Sequence, residues 1–102
     1  MLLEDVARYV RSKNAGPFWV TVDIFCDTQE AFDAVVAADS LSAASLAGIY
    51  GLDPATVRRF EMPSLKVLKL SFPRSVVQGS AHDADSHAGQ YFVPLLRLPV
   101  GS

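Results

Sequence analysis

Cysteine is almost missing from this chain: Cys26 is the only one in 102 residues. That excludes an internal disulfide and any zinc site built on paired cysteines, and a lone thiol fits a reducing compartment, so the cytoplasm is the expected location. Long apolar runs are also missing. Nothing approaches the roughly 20 residues a membrane span requires, and Glu4 and Asp5 come too early for a signal peptide, so no membrane partner is expected. Positive charge is not in excess. Nine basic residues against eleven acidic ones leave a net charge of -2 and a pI near 5.5, which provides no field for phosphate backbones and argues against nucleic acid. There is no glycine-rich phosphate loop, no Ser-His-Asp order and no heptad repeat, and no cofactor is implied.

What the chain has is apolar content. At 50% hydrophobic residues, 102 residues can bury one core without disulfides or a structural metal, so residues 1–102 are expected to form a single domain. Residues 2–14 read as an amphipathic helix, with Leu3, Val6, Ala7 and Val10 at helical spacing and Glu4, Asp5, Arg8 and Arg11 opposite. Asn14, Ala15, Gly16 and Pro17 would stop it. Residues 18–26 alternate as a strand: Phe18, Val20, Val22, Ile24 and Cys26 on one side, Trp19, Thr21, Asp23 and Phe25 on the other.

Asp27 and Glu30 resemble a capping box for a helix ending near Ala38. Ser42 would cap a second one closing at Gly51, and Asp53-Pro54 opens a single turn. Residues 59–62 extend, residues 65–72 form a strand, and residues 91–98 form another that Pro94 confines to an edge or bulge. The sum is an α+β two-layer sandwich, a four-stranded mostly antiparallel sheet with about three helices on one face. Residues 73–90, rich in Ser, Gly, Asp and His, show no period and read as a long functional or flexible loop.

The alternation assigns Val20, Val22, Ile24, Phe60, Met62, Leu68, Leu70, Phe72, Leu96 and Leu98 to the core face. The other face gathers Arg59, Glu61 and Lys69 with large apolar groups, of which Trp19, Phe25, Val67, Tyr91 and Leu95 would centre a protein interface. An ordinary half-wet sheet face is the plainer alternative.

One series of strings is more specific. Arg11-Ser12-Lys13-Asn14-Ala15-Gly16-Pro17-Phe18, Thr21-Val22-Asp23-Ile24, Asp85-Ser86-His87-Ala88-Gly89-Gln90 and Pro94-Leu95 follow in this order. Together they resemble the small bacterial family called domain of unknown function 4387, over nearly the whole chain. Members are similar to the small C-terminal domain of proteins like AtuA, the acyclic terpene utilisation protein. The resemblance implies a ferredoxin-like arrangement, here with a helix first, and a small chain encoded beside an AtuA-like large one. It also implies a link to acyl-CoA or carboxylic acid catabolism by analogy.

Candidate chemistry is sparse. Lys13 and Asn14 either hold an anionic group or simply complement a helix end. His82, Asp83, Asp85 and His87 contain metal-ligating types, but without diagnostic spacing, and no metal site is assigned. His87 oriented by Asp85 would be the catalytic acid-base pair if the chain reacts at all. Lys13, Asn14 and Gln90 would then share a ligand-binding rim with that pair. Asp23, in mid-strand, needs a partner such as Arg59, Lys69 or Arg97, and Cys26 should carry a raised thiol pKa.

The reading this supports is a small subunit or accessory domain completing an AtuA-like large partner. Docking, to that protein or to further copies of this chain, would use the open sheet face, with a small anionic ligand at the rim. A free-standing small-molecule binding module, or a very small enzyme using Asp85 and His87, are the rivals.

Overall fold

The computed structural model describes residues 1–15, 18–73 and 93–100. A short helix α1 (Leu3–Val6) leads into β1 (Tyr9–Asn14), which pairs with β2 (Trp19–Phe25). Two helices follow, α2 (Gln29–Ala37) and α3 (Ala43–Tyr50), then β3 (Arg58–Met62) and β4 (Val67–Pro73). All neighbouring strands are antiparallel, in the order β1-β2-β4-β3. Two hairpins thus bracket a helical layer, an α+β two-layer sandwich of the kind expected for a ferredoxin-like arrangement.

The helices begin where side chains satisfy their free N–H groups. Thr28 Oγ1 accepts from the Ala31 N–H at 3.0 Å, one residue beyond the expected Asp27 cap, and Ser42 Oγ accepts from Ser45 N–H at 3.2 Å. Gly51 closes α3 at φ 69°, a left-handed conformation that costs glycine nothing. Asp53 Oδ1 caps the turn at Pro54–Thr56 through Ala55 N–H, as its Asp-Pro pair predicted.

Three sequence expectations are corrected. Residues 2–14 do not form one helix: α1 ends at Ala7, whose φ of -80° and ψ of 149° are extended, and residues 9–14 pair with β2. Ladder pairing with β2 overrides a weak helical period, because Val10 and Ser12 also satisfy a period of two. Lys13 and Asn14 are therefore the end of a strand and not a helix stop. Residues 93–98 of the expected last strand form a 3-10 turn at Val93–Leu95, and the tail goes on through a turn at residues 96–97 and a bend at Leu98. That tail caps α1, with Leu3 N–H donating to Leu98 O and Glu4 N–H to Leu96 O, both at 2.9 Å.

The third correction is the phase of β3. Arg59 stands opposite Leu70 and Glu61 opposite Leu68 on the helix side, while Phe60 and Met62 face outward. As an edge strand, β3 meets only the rim of the helical layer, where apolar groups gain little. Its phase instead follows the hairpin with β4 and the reach of Arg59, whose Nη2 donates to Val36 O at 3.0 Å near the end of α2.

β2 has the phase its alternation predicts. Val20, Val22 and Ile24 are fully buried, while Trp19 and Phe25 are half-buried on the opposite face. Leu68, Leu70 and Phe72 complete the central inward rows against Phe32, Val35, Leu41 and Leu46 of the helical layer. Tyr50 stacks on Phe72 with ring centroids 4.6 Å apart.

Candidate functional site

The open face of the sheet is built of cross-strand rows, because residues directly opposite in an antiparallel ladder lie side by side on one face. One row reads Tyr9, Phe25, Val67, Met62; the next reads Arg11, Asp23, Lys69, Phe60; the third reads Lys13, Thr21, Ser71, Arg58. Trp19 lies opposite Pro73 at one end. Among the described residues, four cations and one carboxylate therefore share this face, in a chain whose net charge is -2. The acids Glu4, Asp5, Glu30, Asp33 and Asp39 belong to the helical layer. The sandwich is polarised, with a basic sheet face and an acidic helical side.

Aromatic groups and cations interlock there. Tyr9 stacks on Phe25 with centroids 4.4 Å apart and planes within 13°, and the Arg11 guanidinium lies 5.1 Å from the Phe25 centroid. Arg58 lies over Trp19 at 5.7 Å. Phe60 is 46% exposed and Leu65, in the β3–β4 connection, 65%. Large apolar groups left in water at this density are the usual mark of a contact surface.

Asp23 occupies the centre. It is only 4% exposed, and its Oδ2 meets Arg11 Nε at 3.4 Å. A carboxylate taken out of water needs a partner, and the partner comes from β1, not from Arg59, Lys69 or Arg97 as the sequence suggested. The helical period of residues 2–14 hides this pairing in the sequence, because it assigns Arg11 to a helix and not to a strand beside Asp23. The pairing is incomplete: Asp23 Oδ1 and Thr21 Oγ1, two residues apart on this face, are both buried and have no hydrogen-bond partner among the described residues. Asp23 also lines a pocket of about 160 Å³ with Arg11, Phe25, Met62, Leu65, Val67 and Lys69.

The remaining candidates separate. Trp19, Phe25 and Val67 lie on the open face, whereas Leu95 is fully buried in the core and leaves the expected interface set. Tyr91, Asp85, His87 and Gln90 lie outside the described residues, as do His82 and Asp83. Lys13 and Asn14 end β1 beside the start of β2, and Pro73 at the end of β4 is opposite Trp19. The chain that leads on to Asp85 and His87 thus departs from the Lys13 end of the sheet. Cys26 is buried on the core side, and burial first, then the neighbouring Asp27 charge, pushes its thiol pKa up. Among the described residues no three His, Cys, Asp or Glu side chains are grouped to hold a metal ion, and no helix is long and apolar enough to cross a membrane.

The family model described as "Domain of unknown function (DUF4387)" matches residues 3–99, and the chain belongs to that family. No curated protein and no solved structure matches it.

Proposed function

We propose that this member of the family is a small subunit or accessory domain that docks its open sheet face on a larger, AtuA-like protein and completes it. The observation that carries the reading is the centre of that face, where Asp23 Oδ1 and Thr21 Oγ1 are buried with no partner among the described residues, amid exposed aromatic groups. A buried polar atom left unpaired costs about 1–3 kcal/mol, a penalty that falls when docking shifts the side chains over these atoms and brings partners to them. Charge names the partner's chemistry. Arg11, Lys13, Arg58 and Lys69 call for an acidic surface with apolar patches, so attachment should be fast at low salt and weaken as salt rises.

The resemblance to AtuA-like small domains supports the partner's identity, and acyl-CoA or carboxylic acid catabolism in the cytoplasm is the setting we attach to it. Asp85, His87 and Gln90, with Lys13 and Asn14, are proposed to complete the partner's site from the Lys13 rim. Self-association through the same face would oppose four cations to four cations, which favours a different, acidic partner over a second copy. Co-expression with an AtuA-like large chain tests this. The expected result is one co-purifying species that dissociates at high salt; a small chain that elutes alone and monomeric overturns the subunit reading.

A further inference from the structure

The pocket over Asp23 is chemically selective. Its volume, about 160 Å³, is below the roughly 300–1,000 Å³ of sites that enclose a whole drug-sized ligand, and is suited to one ring. Phe25, Met62, Leu65 and Val67 give it apolar walls, while Asp23 brings a carboxylate whose Oδ1 has no donor among the described residues. Arg11 and Lys69, opposite Asp23 on its two neighbouring strands, repel a third cation. A carboxylate guest has no proton to give Asp23, and a serine hydroxyl would leave the apolar walls unfilled. What remains is a neutral aromatic ring with a donor at its far end.

We infer that this pocket seats a tyrosine side chain of the docked partner, its ring against Phe25, Met62, Leu65 and Val67 and its hydroxyl donating to Asp23 Oδ1. The inference rests on the docking reading of the open face. Asp23 Oδ1 is closed to solvent in the free chain, so seating the ring requires the long side chains around the pocket to shift, Lys69 foremost, while Arg11 keeps its contact with Asp23 Oδ2. Tyrosine suits such a place because it combines a rigid apolar body with a polar tip at low entropic cost.

The test uses the chain alone, with 4-methylphenol as the tyrosine probe, toluene lacking the donor, 4-methylbenzoate as an anion and 3-methylindole as the alternative aromatic donor. Saturable shifts of the Met62 and Val67 methyl resonances are expected with 4-methylphenol, with a Kd on the order of millimolar for so small a ligand. Toluene should bind at least about fivefold weaker, since its entry leaves Oδ1 unpaired. Asp23→Leu, which has no acceptor, should erase most of that preference. Leu65→Ala, at an exposed wall where folding is safe, should weaken 4-methylphenol and toluene alike.

Equal binding of toluene, tighter binding of 4-methylbenzoate or of 3-methylindole, or no saturable shift each overturns the tyrosine seat. Its failure is separable from failure of the subunit reading. A co-purifying partner without phenol selectivity sinks only the pocket, and phenol selectivity in a chain that never co-purifies sinks only the subunit.

Discussion

The two faces of one sheet obey different rules. On the helix side, Val20, Val22, Ile24, Leu68, Leu70 and Phe72 are sealed from water and need only shape and apolarity. On the open side, alternate residues of the same strands combine stacked aromatics, four cations and a buried carboxylate with one oxygen unpaired. A face selected only for folding would avoid burying Asp23, because an apolar residue of similar size is commonly neutral or better for stability. Arg59 Nε on the helix side is also buried without a partner among the described residues, so what sets the open side apart is the coincidence of such atoms with exposed aromatic groups and four cations, and that coincidence is where to look for function.

The largest effect should come from the inward face. Phe72→Ala removes a fully buried ring stacked on Tyr50 and should cost about 3–5 kcal/mol in denaturant unfolding. A loss no greater than that of Phe60→Ala, at an exposed outward ring, would erase the distinction between the faces. On the open face, Trp19→Ala should weaken association with the large chain by about 2 kcal/mol or more while moving the unfolding midpoint far less than Phe72→Ala. Association unchanged in Trp19→Ala combined with Tyr91→Ala would move the contact to the helical side.

The ion pair sharpens the comparison at its centre. Arg11→Ala leaves Asp23 buried without its cation and should cost about 1–2 kcal/mol, between an exposed pair and a buried one, because Arg11 is itself 53% exposed. Adding Asp23→Asn should return much of that loss in a double-mutant cycle; strict additivity would show that the pair is not coupled.

Cys26 gives a smaller, pH-dependent signal. Burial raises its folded pKa above the ordinary 9.0, so the folded state keeps its proton where the unfolded chain has lost it. The resulting stability is complete below about pH 9 and declines as pH rises through the folded value, a slope that Cys26→Ala should remove from alkaline unfolding curves. Smallest of all, Lys13→Ala at an exposed strand end should change stability by less than about 0.5 kcal/mol yet reduce activity of the complex. A large loss of stability with activity intact would make Lys13 a structural residue only.

Local chemistry wrote much of this fold legibly. The caps at Ser42, Gly51 and Asp53, the phase of β2, the inward rows of β4 and the buried Cys26 all follow from signals contained within a few residues. So did the place of Trp19, Phe25, Val67 and Lys69 on the open face, although Arg59, Glu61 and Leu95, expected beside them, lie elsewhere. The sequence could not show that residues 9–14 would leave their helical period for a ladder, because that choice depends on hydrogen bonds to a strand that must already be in place. Nor could it show the outward turn of Phe60, set by the β3–β4 register, or the tail from Leu95 to Val100 capping α1 rather than extending the sheet. Asp23 joins both halves: its need for a partner was readable in mid-strand, but Arg11 became that partner only when β1 paired with β2, since a long-range register decides which side chains meet.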